Sequence, residues 1–136
     1  MKDLLKTNVY DISDNIVIVG SCLSRMQPKA FEKLKSISDD MYELCLESTH
    51  LNMAITKIIG MLSRVNVKKI TFATVDKSPH CIQIHYIENE IQKAMDLSNI
   101  EIVHYVCTNN ELIEISKDTI SKSKSLAKLE FENKNN

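Results

Sequence analysis

The sequence SPHCIQIHY at residues 78–86 concentrates side chains that could do chemistry. His80 and Cys81 are adjacent, and His85 follows Cys81 by four residues. If this stretch is helical, Cys81 and His85 lie on one face, with Cβ atoms roughly 6 Å apart. A thiolate and an imidazole at that separation can share a soft metal ion, or the imidazole can act as the base that activates a nucleophilic thiol. The stretch therefore predicts either a metal centre or thiol chemistry.

The two residues before His80 predict where this helix begins. Ser78 is a favoured N-cap, and Pro79 suits the first helical position. Cys81 then lies in the first turn, where unpaired backbone N–H groups and the helix dipole stabilise negative charge. The pattern predicts a lowered pKa for the Cys81 thiol. A thiol enzyme or sulfur carrier would use Cys81 as its nucleophile and His85 or His80 as its base.

Three apolar runs predict the strands that position these residues. The runs are short and rich in β-branched residues, as buried strands are, and they occupy residues 15–20, 68–75 and 100–106. Apolar residues at helical spacing predict the helices between and after them. The predicted helices cover residues 30–45 and residues 79–97. Between them, a further helix is predicted to begin after an N-cap at Ser48 or Thr49 and to reach about residue 62.

The last quarter of the chain leaves an alternative open. Asn109 and Asn110 predict a turn, because asparagine tolerates positive φ. Residues 111–116 then alternate as a returning hairpin strand does, although a helix is the alternative for this segment. A helix over about residues 118–129 is compatible with the polar tail, and residues 128–136 are expected to fray.

Alternation of strands with helices predicts βαβ units and a mainly parallel sheet. The expected fold is one α/β domain over residues 1–136, Rossmann-like or flavodoxin-like, with two or three layers. Residues 111–116 could add an antiparallel edge strand to that sheet.

Cysteines follow the ends of all three predicted strands. Cys22 lies just past the first strand, His80 and Cys81 past the second, and Cys107 at the end of the third. Open parallel sheets bind ligands at the carboxyl ends of their strands, so the sulfur atoms of Cys22 and Cys81 are expected within roughly 10 Å. The predicted metal ligands are Cys22, His80, Cys81, His85 and Cys107, and thiolates with imidazole suit zinc, iron or an iron–sulfur cluster.

Ordinary packing competes with each of these assignments. Free cysteine is among the most buried residue types, and Cys45, in the middle of a predicted helix, is expected simply to pack. His104 precedes Cys107 by three residues, so the two side chains point to opposite faces of a strand. His104 is therefore not a predicted ligand.

Composition excludes several classes of protein. The net charge of -1, with 26% charged residues, does not provide the basic face of a nucleic-acid-binding protein. No apolar run approaches the roughly 20 residues that cross a bilayer, so no membrane partner is expected. The first fifteen residues lack the apolar region of a secretory signal, which predicts a cytoplasmic protein with reduced cysteines.

The segment VKKITFATVDKSPHCIQIHYIENEIQKA resembles the C-terminal Rossmann-like domain found after 4Fe-4S ferredoxin modules in anaerobic bacteria and archaea. That domain has a strand, a Val-Pro-Cys-Cys-like turn and a helix, and an earlier strand that ends in a Gly-Cys-Pro-like turn. The counterparts here are residues 78–81 and 20–22, within a likeness over residues 15–116. A histidine replaces the first cysteine of the pair, the first-strand cysteine is shifted by one position, and the 136 residues hold no ferredoxin module. The resemblance implies a redox-associated domain of anaerobes with a link to iron–sulfur proteins.

Three functions stay open from the sequence. The first is a redox-associated domain that binds a transition metal or an iron–sulfur cluster through the Cys and His residues at the strand ends. The second is a thiol-based redox or sulfur-transfer enzyme. The third is a non-catalytic accessory domain that docks on a redox enzyme. A redox protein partner and a homo-oligomer are both compatible with these functions.

Overall fold

The computed structural model describes residues 1–135, and its sheet has six strands in the order β1-β3-β2-β4-β5-β6. All neighbouring strands run parallel except β5 and β6. The strands are β1 (Lys2–Asp3), β2 (Asn15–Gly20), β3 (Met41–Leu44), β4 (Lys69–Val75), β5 (Glu101–Thr108) and β6 (Glu111–Ile115). The α-helices are α1 (Leu23–Met26), α2 (Pro28–Ile37), α3 (Leu51–Arg64), α4 (Ile87–Gln92), α5 (Lys117–Ser123) and α6 (Leu126–Lys134). Leu4–Lys6 and Cys81–Tyr86 form 3-10 helices.

Helices cover both faces of the sheet, which gives three layers. Successive residues of β2 enter opposite cores, because side chains alternate across a strand. Ile16 and Ile18 pack with α3 and α4, whereas Val17 and Val19 pack with α1 and α2. Burial on both faces explains why β2 is a continuous apolar run. The predicted α/β domain with a mainly parallel sheet and an antiparallel edge strand is confirmed.

The chain reverses its direction of travel across the sheet between β2 and β4. Strand β2 pairs with β3 on one side and with β4 on the other, so the chain crosses outward from β2 to β3 and then back past β2 to β4. The carboxyl ends of these strands diverge there, and open α/β sheets bind ligands in the crevice that forms. This switch point lies beside Gly20 and Val75, the last residues of β2 and β4.

The predicted helix over residues 30–45 is wrong in its second half. Helix α2 ends at Ile37, and Met41–Leu44 forms β3. Ser38 has extended backbone, and its hydroxyl donates a hydrogen bond of 2.7 Å to the Asn15 carbonyl, which ties the chain to β2. The apolar spacing of this region mimics a helix, but Met41 and Tyr42 face opposite cores, as strand residues do.

The predicted helix over residues 79–97 is also wrong in its bounds. The Ser78 hydroxyl accepts a hydrogen bond of 3.2 Å from the Cys81 N–H, as expected of an N-cap. The following turns are the 3-10 helix Cys81–Tyr86, and α4 ends at Gln92. His85 is hydrogen-bonded to β4 and β5 side chains, and these tertiary bonds hold the segment in the tighter 3-10 form.

The C-terminal quarter follows the hairpin prediction. Asn109 and Asn110 have φ of 52° and 59°, and β6 pairs antiparallel with β5, so the turn and the strand are confirmed. The single helix expected over residues 118–129 is instead two helices. They divide at Ser125, whose side chain accepts a hydrogen bond from the Lys128 N–H and so begins α6. Fraying of residues 128–136 stays a prediction, and Asn136 lies outside the described residues. None of the described helices combines the length and apolar character that a membrane crossing requires.

Candidate functional site

Two cysteines meet at the switch point. Cys22 follows β2 and is half-buried, and Cys81 begins the 3-10 helix after β4 and is buried. Their Sγ atoms are 3.9 Å apart, although 59 residues separate them in the sequence. The expectation that these sulfur atoms lie within roughly 10 Å is therefore confirmed.

Gly20 makes room for this pair of sulfur atoms. A Cβ atom at Gly20 would lie 2.9 Å from the Cys81 Sγ atom, closer than side chains tolerate. The glycine at the end of β2 therefore lets the Cys81 side chain approach the strand, and any larger residue would displace it.

Replacing Gly20→Ala is expected to lower the free energy of unfolding by about 1–3 kcal/mol, because the methyl group overpacks this contact. The matched control is Gly60→Ala in α3, where the added Cβ atom would meet Val9 Cγ1 at an ordinary 3.6 Å. Alanine favours a helix, so this variant is expected to gain about 0.5–1 kcal/mol. Urea unfolding of both variants measures the contrast, and equal effects would contradict the close-approach explanation.

The electrostatics of the pair differ from those that the sequence predicts. Burial raises the pKa of the Cys81 thiol, and the neighbouring Cys22 sulfur raises it further, while the Ser78 hydroxyl only partly opposes this. The prediction of a lowered Cys81 pKa is therefore wrong. A short 3-10 helix supplies little dipole, and removal from water disfavours the thiolate.

Cys45 is the thiol whose pKa is lowered. Hydrogen bonds from the side chains of Ser48 and Ser21 stabilise its thiolate. The sequence placed Cys45 in the middle of a helix, but it directly follows β3 and is half-buried. Because β3 ends at the same edge of the sheet as β2, Cys45 belongs to the strand-end site.

A cavity of about 500 Å³ joins these three cysteines. It is open to solvent and lies at the carboxyl ends of β2, β3 and β4. Cys22, Cys45 and Cys81 line it together with the charged side chains of Arg25, Glu47, Asp76 and Lys77. We call this space the cysteine cavity.

Three of the predicted site residues lie apart from the cysteine pair, and Cys107 and His80 are the first two. Cys107 on β5 is fully buried in the core under α1 and α2, and burial raises its pKa to about 11. His80 lies at the edge of the cysteine cavity and is half-exposed, with its Nδ1 atom 3.0 Å from Glu47 Oε1. Cys107 is thus a packed thiol, and His80 forms an ion pair at the surface when protonated.

His85 is directed into the sheet, and both of its ring nitrogens are hydrogen-bonded. Nε2 lies 2.7 Å from Thr74 Oγ1, and Nδ1 lies 2.9 Å from Nδ1 of His104. Burial, assisted by the charge that His104 can carry, lowers the pKa of His85 to about 3, so its ring is neutral. His85 therefore offers no free nitrogen to a metal ion or to the Cys81 thiol.

These placements test whether the residues fit a metal centre. Zinc and iron–sulfur centres in proteins are typically held by four thiolate or imidazole ligands. Across residues 1–135, no group of three or more His, Cys, Asp and Glu side chains is arranged to hold a metal ion. Cys22 and Cys81 supply two thiols, whereas the other predicted ligands are packed in the core or bonded to other side chains. The donor set does not fit a four-ligand metal centre.

A buried polar chain next to this site was missed by the sequence reasoning. His104 Nε2 donates to Glu88 Oε1 at 2.7 Å, and Glu88 Oε2 lies 2.9 Å from Lys117 Nζ. Burial raises the pKa of Glu88, but hydrogen bonds from His104 and Lys117 outweigh it and leave that pKa below its ordinary value. The chain runs Thr74–His85–His104–Glu88–Lys117. The sequence feature that could have indicated this chain is a polar residue inside an apolar strand, such as Thr74 in β4 and His104 in β5.

The comparison with known proteins agrees with this architecture. The sequence model of a family described as a Rossmann-like domain matches residues 12–136. No curated protein and no solved structure matches the sequence significantly. The matched range includes β2 to β6 and both cysteines of the pair. The chain belongs to the Rossmann-like domain family.

Proposed function

We propose that the protein is a thiol-redox domain in which Cys22 and Cys81 alternate between a dithiol and a disulfide. The observation that carries this proposal is the 3.9 Å separation of their sulfur atoms at the switch point. A disulfide bond is about 2.05 Å long, so the sulfur atoms must approach by about 2 Å. Cys22 is half-buried and lines the cysteine cavity, so we assign this approach to a rotation of its side chain.

The reaction is a thiol–disulfide exchange with an external disulfide, either a small molecule or a protein partner. One cysteine thiolate attacks a sulfur atom of that disulfide, whose S–S bond breaks and releases a thiolate. The second cysteine then attacks the mixed disulfide and releases the other half. Two electrons pass to the external disulfide, which leaves as two thiols with the two protons of the dithiol. The exposed edge of the cysteine cavity is where the partner disulfide would enter.

Metal binding and cluster binding are weaker candidates for the same residues. Cys22 and Cys81 would provide only half of the ligands that a zinc or iron–sulfur site typically has. A redox-associated role, which the resemblance implies, needs no such centre. In a reducing compartment, a disulfide of this kind would be transient and would serve catalysis or sensing.

A redox titration tests this function. Protein equilibrated in buffers of reduced and oxidised glutathione is quenched, alkylated and weighed by mass spectrometry. We expect two thiols to disappear together. The ratio of disulfide to dithiol protein should change tenfold for about every 30 mV of redox potential, as a two-electron couple requires. Cys22→Ser and Cys81→Ser should each abolish this transition.

Cys45→Ser is the matched control, because Cys45 lines the same cavity but lies outside the pair. This variant should keep the two-electron transition. A transition that survives Cys81→Ser, or no transition at all, would contradict the proposal. In that case the accessory-domain function, with packed cysteines, becomes the better explanation.

A further inference from the structure

A second cavity, of about 400 Å³, shares the residues 75–78 with the cysteine cavity. Its walls come from β4, β5, β6, the segment that precedes and begins the 3-10 helix, and α5. Most of the lining is apolar, and the apolar residues are Val75, Pro79, Ile82, Val106, Ile115 and Ile120. Small-molecule sites in proteins typically have volumes of about 300–1,000 Å³, so this cavity has the size of a ligand site.

The buried polar chain ends at this cavity. Thr74 and His85 both line it, and they are 1% and 3% exposed. Thr74 Oγ1 bonds to His85, which is bonded through His104 to the Glu88 carboxylate. The thiol-redox function uses none of these groups. A largely apolar space with a few polar groups held in its wall is the usual form of a small-molecule site.

We propose that this cavity, called here the Thr74 cavity, binds a compact, uncharged molecule that is largely apolar and carries one hydroxyl group. The hydroxyl group hydrogen-bonds to Thr74 Oγ1, and the rest of the molecule packs against the apolar walls. An apolar cavity of about 150 Å³ already accepts a benzene ring, so the Thr74 cavity has room for a substituted ring.

The hydrogen-bond chain explains why the ligand group is a hydroxyl. His85 Nε2 lies 2.7 Å from Thr74 Oγ1, and the tautomer of the His85 ring decides which of the two atoms donates. When Nε2 accepts from the Thr74 hydroxyl, Thr74 Oγ1 can accept from a group in the cavity, and when Nε2 carries the hydrogen, the Thr74 hydroxyl can donate to such a group. A ligand hydroxyl fits both cases, because a hydroxyl group both donates and accepts.

The charges around the cavity explain why the ligand is neutral. The charged residues of the lining, Asp76 and Lys77, have opposite signs. The Lys117 ammonium is bound to the Glu88 carboxylate, so that pair carries no net charge. Burial keeps His85 neutral. A charged ligand would lose its hydration without gaining a partner of opposite charge, which is costly.

Phenol and toluene are matched probes for this proposal, because they differ by a hydroxyl and a methyl group on the same ring. Methyl NMR of the full chain is recorded while each probe is added across the low millimolar range. We expect saturable shifts of the Ile115 and Ile120 methyl signals, which report on the cavity. The methyl signals of Ile37, which packs against the core under α1 and α2 and does not line the cavity, are expected to stay unchanged.

Variants at Thr74 test the role of its hydroxyl. Thr74→Val removes the hydroxyl with little change in shape, and it should weaken phenol binding about three- to tenfold while toluene binding stays the same. Thr74→Ser keeps the hydroxyl and should bind phenol as the wild type does. Thr71→Val makes the same change in a buried residue of the same strand that does not line the cavity, and it should have no effect.

Three results would overturn the proposal. The first is the absence of saturable shifts in the wild-type protein, which is decisive even if Thr74→Val fails to fold. The second is a shift at Ile37 as large as those at Ile115 and Ile120. The third is an equal loss of phenol and toluene binding in Thr74→Val, or a loss of phenol binding in Thr74→Ser.

Discussion

Glu88→Ala is expected to lower the free energy of unfolding by about 3–5 kcal/mol. Glu88 is 4% exposed and accepts hydrogen bonds from His104 and Lys117. Removal of its carboxylate leaves the His104 Nε2–H without a partner inside the protein, and breaking a buried pair carries a penalty of this size. Equilibrium unfolding in urea at neutral pH measures the loss.

Glu90→Ala is the control for this variant, because Glu90 lies in the same helix and also forms an ion pair. Its partner is Lys93, at 3.0 Å, and both side chains are largely exposed. Exposed pairs contribute about 0–1 kcal/mol, so this variant should unfold almost as the wild type does. Similar losses in the two variants would contradict a structural role for the buried chain.

Stability is expected to fall by about 2 kcal/mol as the pH decreases from 6.5 to 5, because His85 is buried in its neutral form. Its pKa is lowered from 6.5 to about 3 in the folded protein, so below pH 6.5 the unfolded chain binds a proton that the folded protein excludes. Each pH unit below 6.5 therefore costs about 1.4 kcal/mol until the folded pKa is reached.

The lowered pKa of Glu88 extends this acid sensitivity. Its contribution is present above the unfolded pKa, near 4.5, and is lost as the pH falls through the folded value. Urea unfolding at a series of pH values measures the contributions of His85 and Glu88 to the free energy of unfolding. His85→Gln should flatten the slope between pH 6.5 and 5, whereas His80→Gln, at the surface, should preserve it. An unchanged slope in His85→Gln would contradict the neutral burial of His85.

The strands of the sheet core could be predicted from the sequence because their burial leaves a continuous apolar signal. Asn15–Gly20 and Lys69–Val75 are buried on both faces, so their runs of β-branched residues are hard to mistake. The turn at Asn109 and Asn110 was also predictable, since positive φ restricts the residue types that can occupy it. These elements place Cys22 and Cys81 at one edge of the sheet.

Strand β3 could not be predicted from periodicity, and Cys45 was misplaced with it. Met41, Leu44 and Cys45 have the spacing of a helical stripe, while only four residues form the strand. Short apolar runs are ambiguous between helix and strand. The parallel pairing with β2 and the hydrogen bond of Ser38 to the Asn15 carbonyl, 23 positions away, both favour the strand.

The environment of the histidines depends on the register between β4 and β5, which cannot be read from the sequence. His104 lies opposite Phe72 of β4 and stacks on its ring at a centroid distance of 5.1 Å. In that position, the Nδ1 atom of His104 is within hydrogen-bond distance of His85. The helical spacing alone predicts that His85 lies on the same face as Cys81. The 3-10 geometry of residues 81–86 rotates His85 away from Cys81 and toward the sheet. A local pattern could not reveal this long-range contact.

The central claim is that Cys22 and Cys81 form a reversible disulfide, and a disulfide map tests it most directly. The wild-type protein is oxidised with glutathione disulfide, alkylated, digested without reduction and analysed by mass spectrometry. We predict one linked pair of peptides that contains Cys22 and Cys81, formed within one chain and removed by dithiothreitol. Cys107 should remain unlinked, because it is fully buried. Oxidised protein in which Cys22 and Cys81 stay free, or are linked only to glutathione or to a second chain, would contradict the account.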